Sequence, residues 1–329
     1  MQEIVVTTQE ADQRFHKMLS KYLHKAPKGF VYKMLRKKNI VLNGKKAAGN
    51  ELLRTGDVIQ LFLSDETIQR FSYAGIRVID YDLDIVFENE EILILNKAVG
   101  ILSQKAKEGD VSLVEQVLSY LVETKAVDTR SLAGFRPSIC NRLDRNTSGL
   151  ITVGKTLAGA QAFSKMFQER SIQKYYLCIV VGTVAKKEKI QGYLYKNKSR
   201  NQVLISQEQV TDSSYIETEY IPLVSANGFT LLYVHLLTGK SHQIRAHLAS
   251  CGYPLLGDYK YGRNSANAFF KKKYGLTAQL LHAHSLILPE NDGVLKDLSF
   301  HKFVAAPPEL FRRIALYLGF ENKMKEENL

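Results

Sequence analysis

The sequence predicts an α+β protein in two parts: a small basic α/β module, then a larger region on a mixed or antiparallel sheet. Three observations predict it. Residues 14 to 46 hold eleven lysines and arginines and no acid. Apolar residues recur there at helical spacing ahead of short β runs. From residue 85 onward, strand-like and helix-like stretches alternate with no regular βαβ repeat. A length of 329 residues suggests roughly two domains. At 45% hydrophobic and 24% charged, the composition is that of a folded, water-soluble chain and not of a disordered or fibrous one. The formal charge of +12 and a pI near 9.4 favour a polyanionic partner.

Residues 1–12 read as an extension. They lack the basic and apolar regions of a secretory signal, and no apolar run approaches the ~20 residues that span a bilayer. Cys140, Cys178 and Cys251 are too few and too scattered for a disulfide framework. A reducing cytoplasm and no membrane partner are expected.

Residues 13–75 form the small module with the start of a linker. Phe15, Met18, Leu19, Tyr22 and Leu23 make one amphipathic helix. Pro27 opens a second, with Val31, Met34 and Leu35 on its apolar side. Residues 39–44 read as a strand running into an Asn-Gly turn, with a partner strand at 57–63. The motifs Arg14-Phe15, Lys33-Met34-Leu35-Arg36, Val41-Leu42-Asn43-Gly44 and Gly56-Asp57-Val58-Ile59 resemble the small RNA-binding domain first described in a ribosomal protein of the small subunit. Arg14, Lys33, Arg36, Lys37, Lys38, Lys45 and Lys46 are then its expected phosphate contacts.

Residues 64–83 are mixed and polar, with the linker proper at 76–84. The larger domain is expected over 85–320, with β runs at 85–87, 92–95, 150–153, 175–181, 203–206, 216–223 and 229–237. Residues 321–329 read as a frayed, charged tail.

In Asn141-Arg142-Leu143-Asp144-Arg145-Asn146-Thr147-Ser148-Gly149-Leu150 one carboxylate stands between two guanidinium groups, ahead of turn-forming residues. Neighbouring arginines favour the ionised form, so Asp144 is available as a nucleophile or base. From the string alone, an ion-paired structural aspartate fits as well. Gly149 to Thr156 satisfies the phosphate-loop pattern G-x-x-x-x-G-K-[ST]. The intervening Leu-Ile-Thr-Val reads as a strand, however, so nucleotide hydrolysis is set aside. Residues 237–248 read as a helix start capped by Ser or Thr, with His242 and Arg245 on a polar face. His242, His247, His282 and His284 lack neighbouring acids or cysteines at ligand spacing, so no metal site is expected.

Three strings, Asn141 to Leu150, Lys174-Tyr175-Tyr176-Leu177-Cys178-Ile179-Val180-Val181-Gly182, and Leu237-Thr238-Gly239-Lys240-Ser241-His242-Gln243-Ile244-Arg245-Ala246-His247, resemble in order, spacing and content the signature motifs of the RluA-type pseudouridine synthases. Leu95-Asn96-Lys97, Gly257-Asp258 and Leu281-His282-Ala283 add to the likeness. With the amino-terminal module, the layout resembles the branch that modifies large-subunit ribosomal RNA. Asn141 stands where the family often has His, Ala98 where it often has Pro, and Lys240 where it often has Arg.

The resemblance implies isomerisation of uridine to pseudouridine without cofactor or metal, by a chain whose family default is a monomer. It implies Asp144 as the catalytic aspartate, Tyr176 against the uracil and assisting at C5, and Arg245 paired with Asp144. Arg142, Lys174, Lys240, His242 and Gln243 become expected RNA contacts. Arg142 either fills the stack vacated by a flipped base or only neutralises Asp144. The other readings are a catalytically idle RNA-binding or ribosome-assembly factor on the same scaffold, and a synthase acting on transfer RNA.

Overall fold

The computed structural model describes residues 1–7, 10–71, 78–127, 132, 135–197 and 202–326. The expected segments at 72–75 and 76–77 and the last three tail residues lie outside the described residues.

In the amino-terminal module, α1 (Phe15–Tyr22) and α2 (Lys28–Arg36) bury Phe15, Met18, Leu19, Val31 and Leu35, at the spacing read from the sequence. They pack on a four-stranded sheet of order β1-β4-β2-β3, formed by β1 (Gln2–Val5), β2 (Ile40–Leu42), β3 (Lys45–Lys46) and β4 (Val58–Leu61). Two expectations change here. The Asn43-Gly44 turn, with φ of 51° and 71°, joins β2 to the short β3, while β4 pairs with the other edge of β2. Residues 2–5, expected to precede the module, pair with β4 and so belong to its sheet. The segment after β4 forms α3 (Asp65–Phe71), which returns Ile68 and Phe71 to the module core.

The larger sheet has eleven strands among the described residues. They are β5 (Ile85–Glu88), β6 (Ile92–Lys97), β7 (Ser138–Ile139), β8 (Ser148–Gly154), β9 (Gln173–Val181), β10 (Glu188–Asn197), β11 (Gln202–Ser206), β12 (Ser214–Ala226), β13 (Phe229–Leu236), β14 (Leu281–Ile287) and β15 (Lys302–Val304). The path runs β11-β10-β12-β13-β9-β14-β8-β6-β5, with β7 paired to β8 and β15 to β14. The β14–β8 pair is parallel and the rest antiparallel, so the sheet is mixed. β10 and β14 were not foreseen. β10 alternates Ile190, Gly192 and Leu194 inward with Lys189, Gln191, Tyr193 and Tyr195 on the other face, and β14 carries two histidines.

Side-chain alternation divides the core into two layers. On one face Tyr176, Cys178 and Val180 join α4 (Leu113–Glu123) and α6 (Gln243–Ser250). On the other, Leu177, Ile179 and Val181 join α7 (Asn264–Tyr274) and α8 (Glu309–Tyr317), while α5 (Leu157–Glu169) covers Ile92 and Ile94. The expected frayed tail carries α9 (Glu321–Glu326), whose Met324 enters that second layer. Gly149 to Val153 lies within buried β8, Lys155 Nζ pairs with Glu88 at 2.6 Å, and Thr156 caps α5 by accepting the Gly159 N–H. The phosphate-loop pattern is therefore a strand followed by a helix cap. Among the described residues, no helix is long and apolar enough to cross a membrane.

The β9-β14-β8 contact positions the site. Ala283 of β14 pairs with Tyr176 on one side and Gly149 on the other. At Gly149, with φ of 112°, a Cβ would lie 2.3 Å from the Ala283 carbonyl oxygen. Only glycine lets the strands meet there. Gly149→Ala should cost about 3 kcal/mol or more of stability in urea unfolding.

Candidate active site

Asp144 sits in the turn that feeds β8. The Thr147 N–H donates to its carbonyl oxygen at 3.0 Å, and the Gln279 amide donates to Thr147 Oγ1 at 3.0 Å. Ser103 brackets the neighbouring Leu143, donating to its carbonyl at 2.7 Å and accepting its N–H at 3.1 Å. Asn141 accepts from the Thr152 N–H at 2.7 Å, so its amide fixes this loop against β8. Buried Lys97 donates to the carbonyls of Ala98, Ile101 and Arg145 at 2.8, 3.0 and 3.2 Å. Burial holds the Lys97 ammonium down to about 8, with the Asp144 charge pulling it back up.

Arg245 reaches Asp144 from the first turns of α6. Its Nη1 donates to Asp144 Oδ2 at 2.7 Å. Its Nε and Nη2 grip Asp258 as a fork, at 2.7 and 3.0 Å. Asp258 has no exposed surface, whereas the Asp144 side chain is 25% exposed. One guanidinium thus serves two carboxylates, and only Asp144 faces the open side. Burial works against the Arg245 charge, but the hydrogen bonds and charges of both carboxylates outweigh it and raise its pKa. Asp258 Oδ1 also accepts the N–H groups of Lys260 and Tyr261 at 2.9 and 3.1 Å, and Asn267 on α7 donates to the Asp258 carbonyl at 2.9 Å.

The Asp258 turn presents Tyr261, whose hydroxyl accepts the Val203 N–H at 3.0 Å and lies 2.9 Å from His242 Nδ1. His242 Nε2 is 3.8 Å from Asp144 Oδ2. Burial lowers the His242 pKa, so the ring is neutral at pH 7. His242, in the left-handed region at φ 58°, is itself the cap of α6, and no Ser or Thr side chain caps the helix as expected. Tyr176, 8% exposed, completes the wall from β9. Burial first, and then the Asp144 charge, push its phenol up, so it is neutral at rest.

The expected RNA contacts separate. Arg142 and Lys240 are exposed beside the site. Lys174 is half-buried at the start of β9, and burial lowers its pKa. Gln243 is buried, and its amide is committed to Thr238, Lys240, Glu217 and Thr218. It braces α6 against β12, and its amide is spent on these protein partners rather than held out to solvent as expected. Arg14, Lys33, Arg36, Lys37, Lys38, Lys45 and Lys46 are all exposed on the amino-terminal module. His282 and His284 both bond to the Ala305 carbonyl at 2.9 Å, and His247 bonds Thr218 at 3.1 Å. All three histidines are buried structural groups. The sequence reading gave no role to Asp258 or Tyr261. The available signal was their place in the family likeness, as Gly257-Asp258 and Tyr261-Gly262, which carried no role for either residue.

The family described as RNA pseudouridylate synthase matches residues 91–250. An RNA pseudouridine synthase of Mycoplasma capricolum, described as uncharacterized, is 31% identical over 273 residues, 81% of this chain and 87% of that protein. Ribosomal large subunit pseudouridine synthase C of Vibrio cholerae is 26% identical over 292 residues, 87% of this chain and 88% of that one. Among solved structures, Human RNA Pseudouridylate Synthase Domain Containing 4 superposes with a TM-score of 0.59 at 20% identity, over 72% of this chain and 93% of that chain.

The two carboxylates on Arg245 should differ in what they contribute to stability. Asp258→Asn leaves a buried guanidinium without its fork and should cost roughly 3 kcal/mol. Asp144→Asn, at the exposed end, should cost less than about 1 kcal/mol. Urea titrations of the two variants check the order.

Proposed function

Because the chain belongs to the RNA pseudouridine synthase family, we propose that it isomerises uridine in large-subunit ribosomal RNA, with Asp144 as the catalytic carboxylate. The observation that carries the role is the Arg245 grip. Asp144 is held by one guanidinium nitrogen on its open side, while the partner carboxylate is sealed away. The name of the Vibrio cholerae relative and the basic amino-terminal module support ribosomal RNA as the substrate.

The reaction breaks the N1–C1′ bond, turns the uracil and forms the C5–C1′ bond. The C5 proton is lost and N1 gains one, so atoms and electrons balance within the nucleotide. Arg245 orients Asp144 for attack at the ribose or at the uracil ring. Tyr176 lies against the base and assists at C5. Its phenol is held neutral by burial and by the Asp144 charge, and consuming that charge in an adduct removes the second cause. Exposed Arg142 fits the wedge role, since the ion pair to Asp144 comes from Arg245.

Carbodiimide-dependent primer extension on RNA from cells with the intact gene, without it, and with Asp144→Asn tests the reading. The expected result is one or more ribosomal sites lost in both altered strains. Loss confined to transfer RNA, or activity retained by Asp144→Asn, overturns it. Replacing Lys33, Arg36, Lys37 and Lys38 together with Ala should weaken RNA binding and flatten its salt dependence, as measured by filter binding.

A further inference from the structure

The richest unassigned chemistry lies on the sheet face opposite Tyr176. There α7 and α8 border a hollow of about 620 Å³, lined by Asn227, Phe229, Phe269, Phe270 and Tyr317 among others. Phe270 is buried and belongs to the core, but Phe269 and Tyr317 are 48% and 45% exposed. Their rings lie 6.3 Å apart at 29°. Cations cover these faces. Lys273 Nζ is 3.6 Å from the Tyr317 centroid and within 5.7 Å of Phe269, Lys271 lies over exposed Tyr259 at 6.0 Å, and Arg313 lies over Tyr274 at 5.9 Å. Among the described residues, Lys271, Lys272, Lys273 and Arg313 form no ion pair, and Arg312 alone pairs, with Glu309.

One lysine near the end of α7 would satisfy the helix dipole. Three consecutive ones point in different directions, and Lys273 is drawn onto the α8 ring. Half-exposed rings interleaved with unpaired cations are the elements of a single-strand platform, on which bases stack and phosphates meet ammonium groups. A protein-docking surface is depleted of lysine at its centre. A second copy of a +12 chain would be repelled.

We propose that this α7/α8 face is a second RNA contact, which takes a single-stranded stretch of the substrate by stacking on Phe269 and Tyr317 where the Lys273 ammonium now lies, with Lys273 swung onto a phosphate beside Lys271, Lys272 and Arg313. The occupant follows from the family's RNA substrate and needs no particular ribosomal site.

The test is fluorescence anisotropy of the full chain with a labelled oligouridylate of about twelve nucleotides. Lys271→Ala, Lys272→Ala and Lys273→Ala combined should weaken binding about tenfold and reduce the log–log salt slope by about two. Phe269→Leu, which keeps apolar volume against Phe270 but removes the ring, should weaken binding about fivefold, with the fold checked by circular dichroism. A 4-thiouridine-containing strand should crosslink to peptides within 259–317. Unchanged affinity in either variant overturns the proposal, as does crosslinking only elsewhere. A protein partner released by the triple variant at unchanged RNA affinity also overturns it. The probe needs no isomerisation, so the absence of a pseudouridine site in ribosomal RNA leaves this outcome untouched.

Discussion

Arg245 cannot serve Asp144 unless something else fixes its plane. A guanidinium has five donors in a rigid fork. Here the Nε edge is taken by Asp258, and the remaining Nη1 is aimed at Asp144. The arrangement places two negative groups on one positive group in a largely dry setting, with Lys97 as a further buried cation near Asp144. Burial of such an assembly is tolerable because nearly every polar atom has a partner, including the Lys260 and Tyr261 amides on Asp258. The loop before β8, the start of α6 and the turn at 258–261 are therefore parts of one electrostatic unit.

The sheet supplies the second constraint. Tyr176 and the Asp144 turn stand on strands separated by β14, and their spacing is set where Ala283 touches both neighbours. Gly149 permits the closest approach, and Gln279, just ahead of β14, holds Thr147 in the turn. Small residues and register thus do as much for the site as its charged groups.

The parts legible in the sequence were those encoded locally. Phe15, Met18 and Leu19 carry a helical period, the β-branched runs mark β6, β8, β9 and β13, and the charge around Asp144 already points to a cationic partner. The unread parts depend on contacts between distant segments. The hydrogen bonds of Gln243 go to β12 and to the loop before α6, so its amide looks free for RNA until the structure closes. Asp258 is 13 positions from Arg245, and no local pattern distinguishes a sealed carboxylate from a surface one. β14 is unread because His282 and His284 break the apolar run, and only the structure shows both rings spent on the Ala305 carbonyl. Met324 shows the same for the tail, where one apolar residue among charges is enough to seat a short helix on the core.

The parallel pairing of β8 with β14 joins residues 148–149 to 282–283. Contacts of such long sequence separation form late, because the intervening chain must exist before the loop can close. The amino-terminal sheet, by contrast, is complete by residue 61, when β4 has paired with β1 and β2. During synthesis the basic module can condense long before Asp144 meets Arg245. A nascent chain then presents its block of exposed cations well before the two charged groups of the site have met.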